Sequence, residues 1–255
     1  MAVFFSDLDN TLIYSYKHDI GEDKVGVELY NDRVISFMTG KSYALLKEAD
    51  RRLLFVPVTT RTPEQYARID LGVRPRYALV CNGGMLLNGG VRDEEWYRAS
   101  LELIRASADE LKKAYGLMEC DKDRCFEVRS IYGLFLFTKS ENPQETVERL
   151  KAGLDLKKVG VFSNGKKIYA VPLNMDKGTA VRRFRQKFGA DKCIAAGDSA
   201  FDAPMLREAD FAFAPKGLWE TADVQNMPNT GAYAVCDVDR EFFSDFILEN
   251  YSKFI

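Results

Sequence analysis

The first apolar stretch of the chain, with the residues that end it, reads Val3-Phe4-Phe5-Ser6-Asp7-Leu8-Asp9-Asn10-Thr11. A short apolar run that gives way to polar residues is typical of a parallel strand covered on both faces. Two carboxylates, Asp7 and Asp9, stand two positions apart directly after the run. If the run is a strand, both carboxylates can face an opening at its carboxyl end while the chain turns.

Similar apolar runs recur along the chain and end in polar or glycine-bearing turns. They occupy residues 53–58, 77–81, 193–196 and 211–214. Helical patterns lie between them, for example at 42–49 and 179–188. This alternation predicts an open α/β fold built on a parallel sheet. Ligands of such sheets bind outside the carboxyl ends of the strands, so the residues that follow the runs are the candidates for function.

Two segments interrupt the alternation. Around Asn31-Asp32, alternating polar and apolar residues predict a β-hairpin over 27–37. The middle of the chain predicts an inserted α+β module. Its helices are expected at 100–115 and 143–153, and its strands at 124–130, 132–138, 158–162 and 168–171. We therefore predict a discontinuous catalytic core, 1–86 and 172–255, with a smaller domain at 87–171.

Composition excludes several classes of partner. The 255 residues carry a formal net charge of -2, which gives no long-range attraction for nucleic acid or an anionic membrane. The sequence contains no apolar run of membrane-spanning length and starts without a basic leader, which predicts a cytoplasmic protein. Five cysteines without a Cys-x-x-Cys pair predict reduced thiols, and one histidine cannot supply a His-rich zinc site. No coiled-coil heptad or apolar stripe specifies an oligomer.

Candidate catalytic groups follow the predicted strands or open a helix. Thr59 offers a hydroxyl after the 53–58 run, Lys177 offers a cation at a helix start, and Asp198 follows the 193–196 run. A carboxylate can attack phosphorus only where the negative charge of the substrate is neutralised, which calls for Mg²⁺ and a cation in the same site. Together with Asp7 and Asp9, these groups predict a magnesium-dependent site for a phosphorylated ligand.

At these positions the sequence resembles the haloacid dehalogenase superfamily. The four motifs of that family match Asp7/Asp9/Thr11, Thr59, Lys177 and Asp198/Asp202. The resemblance implies a Rossmann-like three-layer core and an aspartyl-phosphate mechanism, with Asp7 as nucleophile and Asp9 as general acid and base. It also implies that Thr59 and Lys177 hold the transferring group. The metal ligands implied are Asp7, the backbone carbonyl of Asp9, and Asp198.

The insertion lies between Thr59 and Lys177, which resembles the subgroup with a second-position (C2) cap. That subgroup includes Cof-like sugar phosphatases and sucrose-phosphate phosphatase. The Asn82-Gly83-Gly84 turn also resembles the subgroup, whereas Thr60 replaces the glycine of its commoner Thr-Gly-Arg motif. In such enzymes a cap closes over a small ligand and excludes water.

A second tier of candidates surrounds these positions. Its members are Thr11, Arg61, Asn82, Gly83, Asn174, Ser199 and Asp202. Asp202, one helical turn after Asp198, is expected to orient Lys177 or a metal-bound water, and Ser199 is expected to do the same. Arg61 either binds substrate or pairs with Glu64.

The residues and the resemblance together predict a phosphatase that hydrolyses a small phosphorylated metabolite, with a sugar phosphate favoured. A phosphomutase or phosphotransferase that uses the same Asp7 is an alternative, distinguished by its requirement for a bound bisphosphate. A non-catalytic regulator that binds a phosphorylated ligand is a second alternative. It is disfavoured because the acid Asp9 is present.

Overall fold

The computed structural model describes residues 1–220 and 232–254, and the chain divides into two compact units. The core unit comprises Met1–Asp93 and Lys177–Ile255, and the inserted unit comprises Glu94–Asp176. The predicted boundaries, 86/87 and 171/172, each lie several residues before those of the structure. None of the helices in the described residues has the length and apolar character needed to cross a membrane.

Helices and strands are numbered here in chain order. The strands are β1 Ala2–Ser6, β2 Tyr14–Ser15, β3 Lys24–Tyr30, β4 Arg33–Thr39, β5 Leu54–Pro57, β6 Tyr77–Val80, β7 Met85–Asn88, β8 Val91–Arg92, β9 Arg129–Ile131, β10 Phe135–Lys139, β11 Val159–Asn164, β12 Lys167–Pro172, β13 Lys192–Ala196, β14 Phe211–Pro215 and β15 Ala232–Cys236. The helices are α1 Gly40–Arg52, α2 Pro63–Tyr66, α3 Glu94–Leu103, α4 Ala108–Glu119, α5 Pro143–Gly153, α6 Lys177–Phe188, α7 Ala203–Glu208, α8 Lys216–Trp219 and α9 Phe243–Asn250. Short 3₁₀ turns lie at Arg105–Ser107 and Tyr251–Phe254.

The core unit is built on a parallel sheet whose described strands run in the order β15-β14-β13-β1-β5. This confirms the predicted open α/β fold. Ser6, at the end of β1, is level with Ala196 of β13 and Pro57 of β5. The segments that follow these three strands therefore emerge together at one edge of the sheet, where ligands of such folds bind.

The apolar run of β1 is buried on both faces. Phe4 packs on the face covered by α1 and α9, with its ring centroid 5.6 Å from that of Phe55. Phe5 points to the opposite face, where it meets Phe184 of α6 edge-on at 5.4 Å. Side chains of a strand alternate between faces, so a layer of helices on each side accounts for the continuous apolar pattern and gives the three-layer core.

The predicted hairpin is formed by β3 and β4. Asn31 and Asp32 have left-handed φ angles of 49° and 58°, the conformation that a two-residue type I′ turn requires. The register is irregular between Gly26 and Leu29. This bulge breaks the alternation of faces, and Val27 and Glu28 are consecutive buried residues as a result.

One predicted strand of the parallel sheet pairs differently. The 77–81 run forms β6, which pairs antiparallel with β7 in a separate sheet of order β6-β7-β8. A parallel bridge between Val58 and Leu79 connects it to the end of β5. Left-handed backbone at 81–83 turns the chain back at once, and this reversal supplies β6 with an antiparallel neighbour.

The inserted unit has the predicted α+β composition. Its described strands form an antiparallel sheet in the order β11-β12-β10-β9, and α4 and α5 pack against strands of this sheet. Helix α5 begins and ends as predicted. The helix expected at 100–115 is instead divided into α3 and α4 by the 3₁₀ turn at Arg105–Ser107. There the Ser107 hydroxyl donates to the carbonyl of Lys158 at 3.0 Å, which holds the turn against the start of β11.

Candidate active site

Asp7 directly follows β1, and its amide donates to the carbonyl of Ala196 at 2.9 Å. Lys177, the first residue of α6, is buried and places Nζ 2.5 Å from Asp7 Oδ1. The same Nζ lies 2.5 Å from Asp202 Oδ1. A buried ammonium group is costly unless it is paired, and here it bridges two buried carboxylates.

Asp202 also organises the loop that follows β13. Its Oδ2 accepts hydrogen bonds from the amides of Asp198 at 3.1 Å and Ser199 at 2.9 Å, and from the Ser199 hydroxyl at 2.7 Å. Gly197 approaches so closely that a Cβ there would lie 2.2 Å from Asp202 Cβ. Asp202 thus orients both Lys177 and the backbone that presents Asp198. The sequence predicts that Asp202 orients Lys177 or a metal-bound water, and of these two the structure shows the contact with Lys177.

Three carboxylates form a cluster at this edge of the sheet. Asp7, Asp198 and Asp202 each offer an oxygen, and these oxygens all lie within 4.8 Å of one another. The Thr11 hydroxyl donates to Asp198 Oδ1 at 2.9 Å and fixes that side chain. Carboxylate oxygens are the ligands that Mg²⁺ prefers in proteins, so the donor set fits this ion.

The electrostatics of the cluster are dominated by burial. Burial raises the pKa of Asp7 well above its ordinary value, although the charge of Lys177 acts against this. Burial and the neighbouring Asp202 raise the pKa of Asp198 to about 7. Burial alone would lower the pKa of Lys177, but the carboxylates of Asp202 and Asp7 outweigh it and raise that pKa. A cation bound among these carboxylates would stabilise their charged forms against burial and mutual repulsion.

Asp9 lies in different surroundings from Asp7. Its carboxylate accepts two hydrogen bonds from Arg61, from Nε at 2.8 Å and from Nη2 at 2.7 Å. The Asp9 side chain is 48% exposed, against 9% for Asp7. The predicted metal residues were Asp7, Asp9 and Asp198. For Asp9 the prediction concerns the backbone carbonyl. Among the described residues the third carboxylate of the cluster is that of Asp202, and the Asp9 carboxylate is bound by Arg61.

Arg61 connects Asp9 to a residue that the sequence did not single out. Its Nη1 lies 2.9 Å from Glu28 Oε1, and Arg68 Nη2 lies 3.0 Å from the same oxygen. The Ser36 hydroxyl donates to Glu28 Oε2 at 2.6 Å. The alternation in the hairpin predicts an exposed side chain at position 28. The bulge turns Glu28 inward, and Gly26 within the strand is the sequence signal that could have indicated it.

Thr59 lies at the end of β5 and is buried. Its hydroxyl accepts from the amide of Arg61 at 3.2 Å, and its carbonyl accepts from the amide of Asn82 at 2.9 Å. The amide of Cys81 donates to the carbonyl of Arg61 at 2.8 Å. Asn82 and Gly83 have left-handed backbone. These bonds hold the 81–83 turn against the loop that carries Thr59 and Arg61.

Asn174 falls in the inserted unit rather than in the core where the sequence placed it. There its amide group donates to the carbonyl of Leu103. The other candidates all lie in the core unit, where the bonds given above form two groups. One group contains Asp7, Thr11, Lys177, Asp198, Ser199 and Asp202. The other contains Asp9, Thr59, Arg61 and Asn82, with Gly83 in the adjoining turn.

Comparisons with known proteins agree with this arrangement. The family model for haloacid dehalogenase-like hydrolases matches residues 91–216, a range that contains Lys177 and Asp198. No curated protein matches the chain. Among solved structures, sucrose-phosphatase from Synechocystis sp. PCC6803 is similar, with a TM-score of 0.67 and 18% identity over 99% of this chain and 97% of that one.

Two further structures are similar over nearly their whole length. A subclass IIB sugar phosphatase of the superfamily gives a TM-score of 0.58 at 14% identity, covering 100% of both chains. A superfamily phosphatase from Bacteroides thetaiotaomicron gives 0.54 at 16% identity, covering 98% of this chain and 94% of that one. At such identities the likeness shows the shared fold. The family match over residues 91–216 and the shared fold support a haloacid dehalogenase-like hydrolase that is a phosphatase, as the four motifs imply.

Proposed function

We propose that this chain is a magnesium-dependent phosphomonoester hydrolase that acts on a small phosphorylated metabolite, a sugar phosphate, through an aspartyl-phosphate on Asp7. One observation carries the proposal. The two acids of the first motif have separate surroundings, since Lys177 Nζ lies 2.5 Å from Asp7 and Arg61 binds Asp9. The ammonium of Lys177 acts against the burial that raises the pKa of Asp7 and so favours the ionised form that a nucleophile needs, whereas Asp9 is 48% exposed and lies outside that pair, which leaves it accessible for proton transfer.

In the first step an oxygen of Asp7 attacks phosphorus and the bond from phosphorus to the leaving oxygen breaks. Asp9, in its protonated form, gives its proton to that leaving oxygen. In the second step water attacks the phosphorus of the aspartyl-phosphate, Asp9 accepts a proton from the water, and the bond from phosphorus to Asp7 breaks. The products are inorganic phosphate, the free alcohol and the original pair of acids.

The remaining groups stabilise charge. Lys177 remains protonated because Asp202 and Asp7 raise its pKa, so its ammonium faces the site where negative charge moves from the nucleophile to phosphate. The buried hydroxyl of Thr59 is the proposed donor to the transferring phosphoryl group. Asp7, Asp198 and the backbone carbonyl of Asp9 are the proposed holders of Mg²⁺. When bound, the ion supplies positive charge that offsets the repulsion between the Asp7 carboxylate and the substrate.

A sugar phosphate is proposed as substrate from two supports. The structures with the same fold include a sucrose-phosphatase and a sugar phosphatase. The net charge of -2 gives no general attraction for polyanions, which favours a small ligand held by local groups.

A phosphate-release screen with Mg²⁺ tests the proposal. It covers sugar phosphates, nucleotides and phosphorylated acids, without added bisphosphate, and compares the wild-type protein with Asp7→Asn. We expect release from at least one sugar phosphate and a loss of roughly a thousand-fold or more in Asp7→Asn. The matched control is Asp239→Asn, an exposed aspartate of the same unit, which should retain wild-type activity.

Three results would contradict the proposal. Unchanged activity in Asp7→Asn would show that the site lies elsewhere. Turnover only with a bisphosphate activator would favour the phosphomutase. Binding of phosphorylated ligands without release of phosphate from any of them would favour the non-catalytic regulator.

A further inference from the structure

Glu28 is a buried carboxylate in the hairpin, remote in sequence from every motif of the superfamily. Its side chain has no exposed surface and lies between Arg61 Nη1 at 2.9 Å and Arg68 Nη2 at 3.0 Å. Ser36, across the hairpin, donates to its second oxygen at 2.6 Å. Burial alone would raise the pKa of Glu28, but the hydrogen bonds from Arg61 and Ser36 outweigh it and lower that pKa. Glu28 is therefore an anion with both oxygens engaged.

Arg61 is held from two sides. Its Nε and Nη2 donate to the two oxygens of Asp9, and its Nη1 is paired with Glu28. A guanidinium group is planar and its donors point in fixed directions, so anchoring Nη1 also sets the directions of Nε and Nη2. The orientation of the Asp9 carboxylate thus depends on Glu28 through Arg61.

Stability alone is a weak account of this cluster. Burying a carboxylate costs free energy that an ion pair recovers only in part, and an apolar residue of similar size is often at least as stabilising. The hairpin must also be bulged between Gly26 and Leu29 for Glu28 to point inward.

We propose that Glu28 is a positioning residue, which fixes Arg61 so that Arg61 presents Asp9 in the orientation needed for proton transfer. This inference rests on the proposed function, in which Asp9 is the acid and the base. Glu28 itself contacts neither substrate nor the reacting atoms. Its loss leaves Asp7 and Lys177 in place and loosens Asp9, so the steps that need a proton from or to Asp9 are the ones affected.

A pair of esters that differ in leaving group separates the two steps. Phenyl phosphate has a poor leaving group and needs the proton from Asp9 in the first step. With 2,4-dinitrophenyl phosphate the leaving group departs without protonation, so only the second step depends on Asp9. Loss of Glu28 should therefore slow turnover of phenyl phosphate at the first step. With the dinitrophenyl ester it should expose the second step as rate-limiting.

The experiment compares wild type, Glu28→Gln and Glu48→Gln with both esters in Mg²⁺. Glu48→Gln is the matched control, because Glu48 is an exposed glutamate of the core unit paired with Arg52 at 3.0 Å. For Glu28→Gln we expect kcat with phenyl phosphate to fall roughly 10–100-fold, part of what general acid–base catalysis contributes, with KM within about two-fold. With the dinitrophenyl ester we expect a burst of dinitrophenolate equal to the enzyme concentration, then slow turnover. Glu28→Asp, which restores the charge, should recover part of kcat.

Other results would overturn the inference. They are an equal decrease in kcat with both esters and no burst, a change in KM alone, or a lower free energy of unfolding with kcat unchanged.

If Glu28→Gln does not fold, Arg68→Gln takes its place, since Arg68 is 31% exposed and removing it loosens Glu28 while leaving Arg61 and Asp9 paired. For Arg68→Gln we expect a smaller decrease in kcat, again with phenyl phosphate rather than with the dinitrophenyl ester. An unchanged kcat with phenyl phosphate would overturn the inference. If the wild-type protein hydrolyses neither ester, kcat and KM are compared on the sugar phosphate found in the screen, where Glu28→Gln should lower kcat with KM within about two-fold, and an unchanged kcat would overturn the inference. Only a wild-type protein that releases phosphate from no compound of the screen would contradict the proposed function itself.

Discussion

Among single residues, Lys177 is a buried cation held by two carboxylates. It is 1% exposed and pairs with Asp7 and Asp202, which are themselves buried. Removing one partner of a buried ion pair leaves uncompensated charge, which costs about 3–5 kcal/mol. We expect Lys177→Met to lower the free energy of unfolding in urea by this amount at neutral pH and to abolish phosphate release. Lys192→Met, at an exposed lysine of the same unit, should change neither, and an unchanged stability of Lys177→Met would contradict the pairing.

Gly197 tests the loop that presents Asp198. A Cβ at this position would lie 2.2 Å from Asp202 Cβ, so the loop must shift to admit alanine. We expect Gly197→Ala to displace Asp202 and reduce kcat strongly. Gly217→Ala, where a Cβ meets nothing within 4 Å, is the matched control. Activity in Gly197→Ala equal to that of the control would show that the loop is not required in this conformation.

At the residue scale the sequence indicated which side chains meet but not how Asp9 is held. Asp7 and Asp198 follow the buried strands β1 and β13, and the parallel register of these strands brings the two residues together. Lys177 opens helix α6. The partners of Arg61 could not be predicted. Glu28 precedes it by more than thirty positions, and its inward direction comes from a bulge that Gly26 can indicate without showing which side chain turns inward.

Among the elements, the hairpin offers a direct test of turn geometry. Asp32 has a left-handed φ of 58°, and glycine adopts this conformation without the penalty that a Cβ imposes. We expect Asp32→Gly to raise the free energy of unfolding by up to about 1 kcal/mol, because type I′ turns favour Asn-Gly. Asp239→Gly, at an exposed aspartate without positive φ, should be neutral or destabilising. A loss of stability in Asp32→Gly would contradict this turn.

In the inserted unit, α5 is tied to the loop after α4 by a charge-dependent contact. Asp121 accepts from Arg149 Nε at 2.9 Å and from Thr146 Oγ1 at 3.1 Å. Burial alone would raise its pKa, but the bond from Arg149 and the amide of Asp123 lower it. A lowered pKa in the folded state stabilises the protein above the unfolded pKa, and this contribution is lost as pH falls through the folded value.

Asp121→Asn should therefore be less stable than wild type at pH 7, by roughly 1–2 kcal/mol, since Arg149 is partly exposed. The difference should shrink below about pH 4, where the wild-type carboxyl becomes protonated. Urea unfolding of both proteins at pH 7 and below about pH 4 measures this difference in the free energy of unfolding. Glu148→Gln, at an exposed position of the same helix, should show no such pH dependence, and a constant deficit in Asp121→Asn would contradict the charge-based account.

Elements were predictable where periodicity and local turn chemistry agreed, as in α5 and the hairpin. The division between α3 and α4 was not, because residues 100–115 have helical periodicity throughout. The interruption depends on Ser107 bonding to a carbonyl more than fifty positions later. The antiparallel pairing of β6 was missed for a similar reason, since its apolar run fits either sheet type and the left-handed turn at 81–83 decides between them.

At the scale of the whole molecule, the order of the apolar runs predicted a parallel core interrupted by an α+β module. Its exact boundaries were not predictable, because the predicted junctions fall inside β7 and β12, strands that lie in different units. β8 pairs with β7 and stays with the core, whereas β12 belongs to the sheet of the inserted unit. Residue pairing, rather than composition, sets where the units divide.

A cation that binds the carboxylate cluster should stabilise the core unit as a whole. A ligand that binds only the folded state raises the free energy of unfolding, by about 2.7 kcal/mol at 100 times its Kd. The chain has two tryptophans, Trp96 in the inserted unit and Trp219 in the core unit. In a Trp96→Phe background, Trp219 fluorescence reports the core alone.

We expect Mg²⁺ to move the urea unfolding transition of Trp219 fluorescence to higher urea concentration and EDTA to reverse the shift. Adding Asp198→Asn should remove most of the shift, because it deletes one of the proposed ligands, whereas Asp239→Asn should not. An equal shift in all three proteins would show that Mg²⁺ acts elsewhere than at this cluster.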